Sequence, residues 1–113
     1  MPTLSVAEFD AYWFERHAPL VRDCAPKLNI QRYVQNSYFH HPALAASIDA
    51  RGSELPPFDG VAELWWNSFE DIVQASETRE GRAAGRALLE DERRFIDMAN
   101  SPLIYATERT IFG

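Results

Sequence analysis

Apolar residues near the start of the chain recur at helical spacing. At about 100° per residue, Val6, Phe9, Trp13, His17, Leu20 and Cys24 fall on one side. Asp10 and Glu15 lie largely away from that stripe. Ser5 followed by Glu8 is a capping-box pattern and marks the helix start. His17 stands inside the apolar stripe one turn after Trp13, and Pro19 follows two residues later. Proline has no amide to donate and disfavours helical geometry at Ala18, so the helix is expected to kink or end there. A short continuation to Asp23 is compatible with this, and the break would leave space beside the imidazole.

The period then changes to two. "NIQRYVQNSYF", from Asn29 to Phe39, is rich in β-branched and aromatic residues and reads as a strand. Neither of its faces is purely apolar, so periodicity leaves its inward face open. The stretch "HHPALAASIDARGSELPPFDG" is long for a connection inside a small domain. It is a candidate binding loop, with a short helical turn around residues 43–48. "GVAELWWNS" is a second strand, with Ala62, Leu64 and Trp66 on one face and Val61, Glu63 and Trp65 on the other. Ser68 caps a helix whose first turn carries acids. Gly81 breaks or bends the pattern. It resumes with Ala84, Leu88, Phe95 and Ile96 as inward positions. "LIYATERTIF", from Leu103 to Phe112, reads as a closing strand. Helix, strand, strand, helix, helix, strand is the order of an α+β sandwich with an antiparallel sheet and helices on one face. The other sheet face then needs a partner, and a second copy would supply one.

The 113 residues fit one domain over 1–113, and 46% hydrophobic content supports a core. A domain this small gains burial by self-association. A net charge of −6 argues against nucleic acid or an anionic membrane as partner. One cysteine, Cys24, allows no internal disulfide and points to a reducing, cytoplasmic compartment. The first residues lack a signal-peptide pattern, and no apolar run is long enough to span a bilayer.

Read together, "LSVAEFDAYWFERHAPLV", "RYVQN", "DGVAELWW" and "EGRAAGRALLEDERRFID" resemble, in that order, the EthD-like family of the dimeric α+β barrel superfamily. The combination of YW-x-x-R-H-A-P, RY-x-x-N and G-x-AE-x-W-W carries the resemblance. It implies a ferredoxin-like domain whose sheet packs against that of a second subunit, closing a barrel as a homodimer. It also implies a pocket for a small organic molecule. Relatives in the superfamily include polyketide cyclases, decarboxylases, small monooxygenases and muconolactone isomerases. The family begins with a strand before the first helix. "MPTL" is too short for one, so that strand is expected to be missing, replaced by rearranged pairing, or supplied by a partner.

His17 is the first candidate for chemistry. An imidazole in an apolar pocket is favoured as neutral and can take a proton. The competing reading is a packed histidine bonded to a carbonyl such as that of Glu15. Tyr33 and Asn36 could donate to a carbonyl or enolate oxygen. Three apart, they face opposite sides of a regular strand. Glu63 is a lumen or interface carboxylate, or one simply paired with an arginine. Trp13, Trp65, Trp66 and Phe95 are core residues that could also wall a pocket. His40 and His41 lack metal-ligand spacing, and Cys24 lacks an activating partner. Haem ligation by His17 has no second feature in support. The run Glu90–Arg94 reads as a solvated helix face.

The leading expectation is a cofactor-independent enzyme acting on an aromatic or polyketide-like carbonyl compound. His17 would abstract a proton and Tyr33 would stabilise the oxyanion, with Trp13, Asn36, Glu63, Trp65 and Phe95 around the substrate. The outcome would be cyclisation, dehydration, decarboxylation or isomerisation. The alternative is a non-catalytic protein that binds a small hydrophobic ligand.

Overall fold

A computed structural model describes residues 4–54 and 58–113. The start of the chain at residues 1–3 and the Pro56-Pro57 pair lie outside the described residues. The elements are α1 (Val6–Tyr12), a π-helical turn (Trp13–His17) and α2 (Ala18–Leu28), then β1 (Arg32–Ser37). A 3-10 turn (Pro42–Leu44) and α3 (Ala45–Ala50) precede β2 (Gly60–Trp65). Two helices, α4 (Phe69–Glu77) and α5 (Arg79–Glu92), and a 3-10 turn (Met98–Asn100) complete the order.

The capping box forms as the sequence indicates. Ser5 Oγ accepts from the Glu8 amide at 3.1 Å, and the Glu8 carboxylate accepts from the Ser5 amide at 3.0 Å. The helix does not stop at Pro19. The preceding turn widens so that the Ala18 amide donates to the Trp13 carbonyl, five residues back. Ala18 keeps helical angles, and the proline sits in the first turn of α2, where a missing amide costs least. The helix runs on to Leu28 and ends on Asn29, whose left-handed φ of 61° closes it.

Among the described residues the sheet has two antiparallel strands, in register from Arg32 opposite Trp65 to Ser37 opposite Gly60. The pairing is regular, so alternate residues of β1 face opposite ways. Gln35 Nε2 donates to the Trp13 carbonyl at 2.8 Å, and Ser37 Oγ to Asp10 Oδ1 at 3.3 Å. Tyr33 packs on a cluster of Val21, Cys24, Ala84 and Leu88 formed between α2 and α5. The helices therefore lie against the face carrying Tyr33, Gln35 and Ser37. Arg32, Val34 and Asn36 share the other face with Val61, Glu63 and Trp65.

Gly81 marks a boundary between helices. Thr78 caps α5 by accepting from the Gly81 amide at 2.9 Å. A Cβ at Gly81 would overlap the carbonyl oxygen of Ala75, so α4 and α5 meet only through a glycine.

The expected closing strand does not form. The segment 103–112 makes no strand pairing, and its large apolar residues are exposed. A strand requires a neighbour for its amides and carbonyls, and the two-stranded sheet of this chain does not reach it. The fold is α+β, with a sheet smaller than the sandwich expected from the sequence.

Candidate functional site around His17

Two helices build the site. The π-turn places Trp13 and His17 inward together, while Phe14 points to solvent. From the end of α5 comes Asp91, on the same stripe as Ala84 and Leu88, and Phe95 follows just beyond the helix. His17 Nδ1 lies 2.8 Å from Asp91 Oδ2. Asp91 Oδ1 accepts from the Tyr12 hydroxyl at 2.6 Å and from Arg94 Nη1 at 3.1 Å. His17 is only 5% exposed and Asp91 4%. The ring of Phe95 covers the group, with centroids 5.0 Å from His17, 4.9 Å from Tyr12 and 5.7 Å from Phe9. Phe9 in turn packs on Trp13 at 5.2 Å.

Burial pushes the Asp91 carboxyl up. Hydrogen bonds from Tyr12, His17 and Arg94, with the charge of His17, outweigh that and hold it below the ordinary aspartate range. An ionised carboxylate only accepts, so the hydrogen shared with Oδ2 belongs to His17 Nδ1. In a neutral ring Nε2 then carries the lone pair. The Tyr12 phenol is pushed up, chiefly by its bond to Asp91.

Tyr33 lies on this side of the sheet. Its hydroxyl accepts from Gln35 Nε2 at 3.1 Å. Burial raises it, opposed by hydrogen bonds from Gln35 and Trp13, so it stays a phenol at neutral pH. Glu92 is within charge range of both His17 and Tyr33, and burial pushes its carboxyl up. Trp13, His17, Tyr33 and Phe95 thus belong to one side of the molecule.

Asn36, Glu63 and Trp65 form a separate group on the outer sheet face. Glu63 accepts from Asn36 Nδ2 at 2.8 Å and from Trp65 Nε1 at 3.2 Å. Without a bulge in β1, Asn36 does not join Tyr33. Glu63 is held by an amide and an indole rather than by an arginine; Arg32 instead lies over the Trp65 ring, 5.6 Å from its centroid. Trp66 donates to the Leu28 carbonyl at 2.7 Å, tying the strand end to α2.

A family model described as the EthD domain matches residues 1–99. The chain belongs to the EthD family. That family is part of the dimeric α+β barrel superfamily. No curated protein and no solved structure matches the chain. Among the described residues of this EthD domain, no helix is long and apolar enough to cross a membrane.

The expected space beside His17 is filled by Phe95 and Asp91. Two clefts on the described surface lie elsewhere, one lined by Asn29 and Thr78 among others, and one lined by Cys24 and Ala84 among others. Asp91, Tyr12, Arg94 and Glu92 were not legible as site residues. For Asp91 a signal existed, since it stands three after Leu88 and four before Phe95, both inward positions. Cys24 is buried, which pushes its thiol up, as suits a small core residue. His41 caps the 3-10 turn by accepting from the Ala43 amide at 3.0 Å.

Proposed function

We propose that this EthD protein is a small cytoplasmic enzyme that needs no cofactor and acts on an aromatic or polyketide-like carbonyl compound. The observation that carries the reading is the His17–Asp91 pair, with the Tyr12 hydroxyl on the second carboxylate oxygen. A carboxylate fixed on Nδ1 orients the imidazole and stabilises it once protonated, as a general base requires. Nε2 would take a proton next to a carbonyl or from a phenol. The Tyr33 hydroxyl would donate to the oxyanion formed, and Trp13 and Phe95 would flank the substrate ring. Phe95 would move aside to admit it. Two subunits would pack sheet to sheet, as the superfamily's assembly implies, with Asn36, Glu63 and Trp65 between them as further substrate contacts.

Proton abstraction can be read without knowing the later step. The protein is incubated in D2O with aryl methyl ketones, and exchange at the methyl group is followed by proton NMR. Catalysed exchange is expected, falling about 10²–10⁴-fold in His17→Gln, with both proteins equally folded. Exchange that is equal in the two proteins would reject His17 as the base.

One observation favours a second reading. His17 is almost wholly covered within one chain, as suits a structural histidine in a protein that binds a hydrophobic ligand without turnover. In that case His17→Gln would lower the melting temperature, and no ketone would exchange.

A further inference from the structure

Tyr33 and Gln35 stand two apart on β1, so their side chains share the sheet face that meets the helices. The Gln35 amide sits between two oxygens. Its Nε2 is 2.8 Å from the Trp13 carbonyl and 3.1 Å from the Tyr33 hydroxyl. A carbonyl only accepts, so the amide nitrogen, and not the amide oxygen, faces Trp13. The second hydrogen of that nitrogen then points at the Tyr33 oxygen. The phenol accepts from Gln35 and cannot also donate to that nitrogen, so its own hydrogen turns away from Gln35. Among the described residues, the Tyr33 hydroxyl enters no hydrogen bond as a donor.

The π-turn brings the Trp13 carbonyl into this arrangement. Its other donor is the Ala18 amide, five residues on, where a regular helix closes the ring at four. The two lone pairs of the carbonyl serve both donors. The same turn carries His17. One side-chain amide therefore ties the strand bearing Tyr33 to the turn bearing the imidazole, and it sets the direction of the phenol hydrogen.

We propose that Gln35 is a positioning residue that holds Tyr33 as a hydrogen-bond donor toward a carbonyl oxygen of the substrate. The inference rests on the reading of Tyr33 above as the donor to the oxyanion, and deepens it by adding the group that orients that donor. A ketone or enolate oxygen only accepts, which matches a hydroxyl whose oxygen is already engaged and whose hydrogen is not. A bond accepted by a hydroxyl also strengthens the bond that it donates. Gln35 thus acts on the developing oxyanion through Tyr33, without touching the substrate.

Two readouts on the intact protein separate this role from a merely structural one. In the first, the tyrosines are replaced by difluorotyrosine, whose phenol titrates nearer neutrality, and followed by fluorine NMR. The Tyr33 signal is identified by its absence in Tyr33→Phe. A donor on the phenol oxygen favours the phenolate, so Gln35→Met and Gln35→Leu should each move the Tyr33 titration up. The Trp13 carbonyl keeps its bond from the Ala18 amide in both variants, and circular dichroism should show them folded. In the second readout, exchange of aryl methyl ketones in D2O is measured as kcat and KM. Gln35→Met should lower kcat about 10-fold with KM little changed, as expected for one hydrogen bond that matters most in the transition state. In a Tyr33→Phe background the same substitution should have no further effect. A further 10-fold loss there would overturn the proposal, because Gln35 would then act on the helical turn and not through Tyr33. A Tyr33 titration that neither variant moves would overturn it as well. Absence of exchange in the wild-type protein would instead reject the enzyme reading, and the titration would still decide whether Gln35 sets the Tyr33 hydroxyl.

Discussion

Two polar groups flank the sheet, one on each face, and they are built from similar parts. On the helix side, Asp91 accepts from Tyr12, His17 and Arg94. On the outer side, Glu63 accepts from Asn36 and Trp65. The first is buried under Phe95, whereas the bond from Asn36 to Glu63 is exposed. A carboxylate removed from water depends on its partners for what the solvent would have supplied. Water can take over for those of Glu63. The same chemistry therefore constrains the fold on one face and only decorates it on the other.

The largest effect is expected from Asp91→Ala, which strands His17 and Tyr12. A loss of about 3–5 kcal/mol is expected, read by chemical denaturation. The wild-type protein should share this dependence at low pH. The folded-state carboxyl of Asp91 lies below its unfolded value, so its contribution is present above the ordinary aspartate range. That contribution is lost as pH falls through the folded value. Loss of the same stability in Glu63→Gln would erase the contrast between the faces. Tyr12→Phe removes one of the three donors to Asp91 and should cost about 1 kcal/mol. Glu63→Gln itself should change stability by about 0.5 kcal/mol or less.

Glu92 sharpens the comparison with an effect of opposite sign. Burial raises its carboxyl, so folding favours the protonated form. Ionised Glu92 begins to oppose folding as pH rises above the ordinary glutamate range. Glu92→Gln should melt slightly higher than wild type at pH 7, with the difference closing near pH 4. A lower melting temperature at pH 7 would mean that Glu92 has a stabilising partner.

The local patterns were legible where one rule acted alone. The Ser5–Glu8 box, the Ser68 cap, the turn around residues 43–48 and the inward set of Ala84, Leu88 and Phe95 follow from spacing and side-chain chemistry. Pro19 misled because a π-turn absorbs the missing amide, and that adjustment has no signature in the residue pattern. Asp91 was hidden inside the charged run Glu90–Arg94, whose majority faces solvent. Only its position on the stripe of Leu88 and Phe95 set it apart. The segment 103–112 has strand propensity, but pairing needs a neighbour, and a neighbour is a property of the whole fold.

The central claim is that Asp91 fixes the tautomer of His17 and leaves Nε2 able to take a proton. Long-range proton–nitrogen NMR on the imidazole reads this directly. For the neutral ring the account predicts hydrogen on Nδ1, none on Nε2, and loss of that preference in Asp91→Asn. A neutral ring with its hydrogen on Nε2 in the wild-type protein would contradict it.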